Sequence, residues 1–400
     1  VAIAGVLVVA AGACVSREPV VDEATAPPAD AASTAPIDGT KAGPVAAPDV
    51  PSRSETLRKP RAVPDGKNAF PSAWAACDWL SRHQSADGGW RLRSAGGGCG
   101  DARCSMGEGP PDFVGDTSLA LLALLSAHVD LDSTPDRAAF RSGLSCLVSA
   151  QAPDGSFDAA SAPHRVLDQA LATESLCRAL AGRTHERGAN RLLRAAAERA
   201  LAHLLVLRTP GAAWSDATLG SSCDLRVTTW ATMAVAQARD ADIEVPSDVS
   251  RDVLVWLDAD PGGRSEAAAA MRTCCRVLLG ATQRDPHLIA DHEILVAFDA
   301  AAVDDGRATD ALGRYFVTVA ESFWGGEVWA RRFGSRNGAV IPLQRRESDG
   351  CVCGSWDADG TVGPEGGRLG ATALTAMLFD AGFISTYANV MRAREPQIPK

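Results

Sequence analysis

Residues 84–90 read Gln84-Ser-Ala-Asp87-Gly88-Gly89-Trp90, and 67 residues further on the chain reads Gln151-Ala-Pro-Asp154-Gly155-Ser156-Phe157. Gln, Asp-Gly and an aromatic recur at the same offsets. A third, decayed copy runs from Arg208 through Pro210 and Gly211 to Trp214, and a fourth, with insertions, from Gln344 through Asp349-Gly350 to Trp356. Self-similarity at a spacing of this size marks an array of like units, none of which buries its apolar face alone. Each copy follows one helical stretch and precedes another, so the unit is a helix pair. Asp116 opens the run that follows the first copy and is placed to cap its exposed N–H groups.

Continuing along the chain, apolar periodicity predicts outer and inner helices in pairs: 74–84 with 116–128, 136–151 with 168–181, 190–207 with 226–239, 247–257 with 265–280, 286–298 with 309–322, and 325–342 with 368–382. The second member of each pair is rich in Ala and other small residues around its whole circumference, and a helix that is apolar all round is buried. The expected fold is all-α: an (α/α)6 toroid of six inner helices enclosed by six outer ones, spanning 69–390.

The copies at Gln84 and Gln151 reproduce the Gln-x-x-x-Gly-x-Trp type of signature, and on these residues the chain resembles the prenyltransferase and squalene-oxidase repeat family. Four further blocks resemble uncharacterised bacterial envelope members of that superfamily. They are Asp168-Gln-Ala-Leu-Ala-Thr, Val227-Thr-Thr-Trp230-Ala-Thr-Met-Ala, Gly325-Gly-Glu-Val-Trp329, and Gly354-Ser-Trp356-Asp357-Ala-Asp-Gly360 followed by Gly366-Gly-Arg368. The resemblance implies the α/α toroid and says little about chemistry, because one fold hosts many functions.

Three activities that the resemblance brings to mind lack their residues. Squalene cyclases protonate their substrate with Asp-x-Asp-Asp, and neither Asp258-Ala-Asp260 nor Asp357-Ala-Asp359 completes that motif. Protein prenyltransferases hold zinc with Asp, Cys and His; Asp349-Gly-Cys351 resembles the first pair, but the last His is His292, so no downstream His follows. Gly98-Cys99-Gly100-Asp101-Ala102 lacks the Gln that a thioester requires. No metal and no cofactor are therefore expected, while the question of enzyme or non-enzyme stays open.

A net charge of −10 gives no positive surface for nucleic acid, so no nucleic-acid partner is expected. Two functions remain: a binding or scaffold module for an apolar or peptide ligand, or an enzyme acting on a lipid, isoprenoid or glycan through an acid group near Asp357. For the second, Asp357 and Asp359 are the candidate catalytic pair, since paired carboxylates serve glycoside chemistry. Trp356, Arg368, Arg226, Glu174 and Trp230 are candidate ligand-binding residues: Trp356 flanks the two acids and Arg368 faces them, while the charges of Arg226 and Glu174 on inner helices should point into a cavity or be paired. Most of the other acids on the loops read as helix caps and Asp-Gly turns.

Val1 to Ala13 hold only Val, Ala, Ile, Leu and Gly, and Cys14 follows. Residues 1–14 resemble a lipoprotein signal, which implies lipidation of Cys14, a membrane tether and an extracytoplasmic, cell-envelope or periplasmic location; ordinary cleavage after Ala13, or no export, is the alternative. Residues 15–68, rich in Ala and Pro, are expected to form a disordered linker. Cys99 and Cys104 fall in the first long loop and Cys351 and Cys353 in the last. These loops are neighbours once a six-fold ring closes. An inter-loop disulfide, or a local Cys99–Cys104 bridge, is expected in an oxidising compartment; a four-thiolate zinc site and independent thiols are the alternatives.

Overall fold

The computed structural model describes residues 69–91, 102–105, 113–127, 135–157, 165–182, 187–209, 212–216, 223–259, 261–302, 310–358 and 366–381. Residues 1–14, read as a signal ending at Cys14, residues 15–68, read as a linker, Cys99 and Asp359 lie outside the described residues. The protein is all-α: the described residues form twelve α-helices, short 3-10 segments and turns, with no strand among them. No helix among them is long and apolar enough to cross a membrane.

The helices are α1 (Ala69–Arg82), α2 (Phe113–Ser126), α3 (Pro135–Ala150), α4 (Arg165–Ala181), α5 (Arg187–Val206) and α6 (Leu225–Asp240), then α7 (Ser247–Leu257), α8 (Glu266–Leu278), α9 (Pro286–Ala302), α10 (Ala311–Ser322), α11 (Gly326–Val340) and α12 (Gly367–Asp380). Each range in which the sequence predicts a helix holds one. The even-numbered helices are buried over almost their whole length, while the odd-numbered ones keep a solvent face. Burial on every side suits the Ala, Ser and Thr content of the even set, since small side chains let helix axes approach closely. α2 packs on α4, α4 on α6, α6 on α8, α8 on α10, α10 on α12, and α12 returns to α2.

The repeated motif joins consecutive helix pairs. The Gln84 Nε2 donates to the Gly88 carbonyl in its own turn (2.7 Å) and to Ala139 O of α3 in the next pair (2.6 Å). Gln151 does the same with Gly155 O and Ala196 O of α5 (3.3 and 2.9 Å). In the third copy Arg208 stands in the Gln position and reaches α7 by ion pairs with Asp248 and Asp252 (2.6 and 2.9 Å). Gln344 bonds Gly354 O (2.8 Å) and, across 272 residues, Ser72 O of α1 (2.9 Å). The bond that links one pair to the next thus also links the last to the first.

The motif aromatics fasten each turn to its own helix pair. The Trp90, Trp214 and Trp356 indoles donate to Leu80 O, Leu204 O and Val340 O (2.8, 2.8 and 2.9 Å), and their backbone N–H groups donate to Thr117, Thr228 and Thr372 hydroxyls. A buried indole N–H needs such a partner. The acids of these turns serve them too: Asp87 and Asp154 accept from the backbone N–H two residues on, at Gly89 and Ser156. Asp224 and Asp310 cap α6 and α10. Asp116 does not sit at the cap, because α2 begins earlier, at Phe113, and leaves Asp116 buried in its first turn.

Candidate functional site

The end of α1, the 3-10 turn Ala102–Ser105, the stretch from Gln344 to Ala358 and the start of α12 meet where the last helix pair adjoins the first. Arg82, held by Asp78 one turn earlier on α1 (3.0 Å), donates to the Cys351 and Cys353 carbonyls (3.4 and 2.8 Å). Arg368, buried at the start of α12, donates from Nε to Arg103 O (2.8 Å) and from Nη1 to Ser355 Oγ (3.0 Å). Its Nη2 lies 2.6 Å from Asp357 Oδ1. Two guanidiniums thereby bind backbone and side chains of segments roughly 265–271 residues apart, which orders both loops.

Arg345 is the second cation on Asp357: its Nε donates to Oδ1 at 3.1 Å and its Nη2 also contacts Oδ2. The Arg345 hydrogen bonds, with Arg368 behind them, hold the Asp357 carboxyl below the usual carboxylate range against a smaller opposing effect of burial. Asp357 is thus an anion at neutral pH and has no proton to give. A cavity of about 360 Å³ opens here, lined by Arg103, Arg345, Asp349, Val352, Asp357, Ala358 and Arg368. Among the described residues, three guanidiniums and two carboxylates line it.

Of the residues expected to make a site, the structure brings together Asp357 and Arg368, with Trp356 beside them. Trp356 does not line the cavity; it is buried, its ring packed near Phe379 and its N–H on Val340 O. Trp230 is fully buried against Tyr315 and Phe316, at 5.9 and 5.3 Å between ring centroids. Arg226 lies in the first turn of α6, half-buried. Arg345 and His83 were not singled out from the sequence. His83 carries a signal there: it precedes the motif Gln, where the other copies have Ala150, Leu207 and Leu343.

Cys104, Cys351 and Cys353 are thiols in this structure, so no disulfide joins the described residues of the two loops. His83 Nε2 lies 3.2 Å from Cys104 Sγ and 3.3 Å from Cys351 Sγ. These three donor atoms lie within 4.8 Å of one another.

Glu174 stands apart from this site. It is fully buried within α4, and its two carboxyl oxygens have no hydrogen-bond partner among the described residues. Burial pushes its carboxyl up to about 8, with Arg178 pulling weakly the other way. Below its ordinary value of 4.5 the folded and unfolded chains both carry the proton. Between there and about 8 only the unfolded chain ionises, so this group removes stability as pH rises through that window. Glu174→Gln is expected to melt with the parent near pH 4 and above it near pH 8, by about 2 kcal/mol once relaxation returns part of the desolvation cost. Thermal melts at the two pH values check this, and coincident melts at pH 8 would mean that the carboxylate is paired.

The chain matches no family model and no curated protein.

Proposed function

We propose that this chain is a binding module built as an (α/α)6 toroid of the prenyltransferase and squalene-oxidase repeat type, and that the cavity between the last and first helix pairs takes the anionic end of a peptide ligand. The closed cycle of contacts among the even-numbered helices supports the toroid. So does the Gln344 bond to Ser72, which repeats between the ends what Gln84 and Gln151 do between neighbours. The cell-envelope location and the lipid tether at Cys14 belong to the same proposal and rest on the sequence alone.

One observation favours binding over catalysis. Asp357 is held ionised between Arg345 and Arg368, whereas protonation of a glycosidic oxygen or an alkene needs a carboxyl kept neutral. Three guanidiniums line the cavity, and guanidinium forks match carboxylates two bonds at a time. Five of the seven lining residues carry charge, so of the two ligand classes the peptide fits better.

Calorimetric titration of the full chain with a short apolar peptide ending in a free carboxylate, against its C-terminally amidated twin, tests the reading. Binding of the first only, weakened about tenfold or more in Arg345→Ala, is the expected result, as charge-assisted bonds contribute roughly 1.5–3 kcal/mol. Equal binding of both peptides would remove the anion subsite. Turnover of a lipid or glycan substrate, lost in Asp357→Asn, would replace the reading with an enzyme.

A further inference from the structure

We infer that His83, Cys104 and Cys351 form a site for a thiophilic divalent metal ion, Zn2+ by its chemistry, that ties the first helix pair to the last. This goes beyond the binding cavity and does not depend on it. It also differs from the Asp, Cys and His set of the prenyltransferases: no carboxylate takes part, and the His comes from the beginning of the chain, not from downstream of the Cys.

The imidazole is already oriented for metal. His83 Nδ1 lies 2.7 Å from the Trp79 carbonyl, which can only accept, so Nδ1 carries the proton and the lone pair is on Nε2. That lone pair faces both sulfurs, at 3.2 and 3.3 Å. One in-plane lone pair cannot accept two S–H bonds along its axis, but one ion placed on it can bind both sulfurs. Tetrahedral Zn2+, with bonds of about 2.1 Å to nitrogen and about 2.3 Å to sulfur, sets N···S near 3.6 Å and S···S near 3.8 Å. The observed N···S distances are only a few tenths of an ångström shorter, and all three donors already lie within 4.8 Å. The carbonyl on Nδ1 is the outer partner that metal-binding His residues generally have.

The surroundings hold these ligands in place. His83 and Cys104 are 1% exposed and Cys351 is half-buried, so the ion would sit under the surface with one side toward solvent. Arg82 fixes the Cys351 and Cys353 carbonyls, and the His83 ring packs on Trp79 at 4.5 Å. Charge balances as well. Zn2+ displaces one proton from each thiol and none from the neutral imidazole, so two protons are released and the first shell, with water in the fourth position, is neutral. A neutral complex avoids the cost of burying a net charge. The donor set of one imidazole and two thiolates excludes Mg2+ and Ca2+, which take oxygen.

The test uses the full chain, reduced, stripped with chelator and given Zn2+ or Co2+ alone. One equivalent of Zn2+ should survive desalting, with two protons released in calorimetry across buffers of different ionisation heat. The Co2+ form should show thiolate-to-cobalt charge transfer and strong tetrahedral bands. Cys351→Ser and Cys104→Ser should each weaken Zn2+ binding at least about 100-fold, the upper end of what a lost outer partner costs, while Cys223→Ser should leave it unchanged. Zn2+ should also raise the melting temperature of the unmodified chain, a readout that needs no variant. Retention of Zn2+ by the Cys104→Ser, Cys351→Ser double variant, a cobalt spectrum without thiolate bands, or a Cys104–Cys351 disulfide found by peptide mapping of the unreduced protein would each overturn the site.

Discussion

Gly354→Ala is expected to destabilise the protein by about 3 kcal/mol or more, while the same change at Gly334, twenty positions earlier, leaves stability unchanged or raises it by up to about 1 kcal/mol. Gly354 has φ +93°, and a Cβ there would lie 2.3 Å from the Ala75 carbonyl oxygen of α1. Neither backbone can move without breaking the Gln344 bonds to Gly354 O and Ser72 O. Gly155 occupies the same place in the second copy of the motif, with φ +89° and a virtual Cβ 2.1 Å from Arg199 O of α5, so the close approach belongs to the motif. Gly334 lies within α11, and a Cβ there meets nothing within 4 Å. Chemical denaturation of the two variants checks the contrast. If Gly354→Ala were as stable as Gly334→Ala, the contact between the last motif and α1 would not be part of the folded state. Because that contact also positions the strip from Arg345 to Asp357, the Gly354 variant should lose Zn2+ retention along with stability.

The parts of the fold that repeat are the parts the sequence shows plainly. Gln84, Gly88 and Trp90 recur because each answers a local demand: an amide that reaches two carbonyls, a turn without a Cβ, and an indole that fills the gap between helices. Such demands depend on neighbours in the chain and are visible one copy at a time. The site is different, since Arg345, Arg368, Arg103 and His83 become neighbours only when the two ends of the chain meet, across some 260 residues. Cys104 and Cys351 were expected to be close on that ground, but the imidazole between them was not, because a His beside a motif Gln reads as an ordinary helix end. Trp356, in the turn before α12, and Trp230, on buried α6, were read as candidate ligand contacts, and both rings are buried in the packing. Glu174 is a charge on a buried helix, its carboxyl oxygens meet no hydrogen-bond partner among the described residues, and desolvation outweighs the pull of Arg178 on its protonation.

Trp90→Ala should cost about 3–5 kcal/mol, the range for removing a fully buried large aromatic. The ring is 0% exposed, and its N–H donates to Leu80 O at 2.8 Å. Its far edge lies against Gly143 of α3, where an added Cβ would come within 2.5 Å of Cζ3. The second copy of the motif carries Phe157 at this position, so Trp90→Phe should be milder, about 1–2 kcal/mol, reflecting the lost hydrogen bond and part of the volume. The two positions should also be coupled. Gly143→Ala crowds the six-membered ring of Trp90 and is expected to destabilise the parent, yet it should cost less beside Trp90→Phe, whose smaller ring leaves room for the methyl group. A double-mutant cycle by urea unfolding measures this, with a coupling of about 1 kcal/mol expected for side chains in contact. Additive effects would mean that the ring does not occupy the notch at Gly143. In all these variants any loss of ligand or Zn2+ binding should track the loss of stability, since Trp90 touches neither site. Binding lost at an unchanged melting temperature would instead place the motif aromatic in a site.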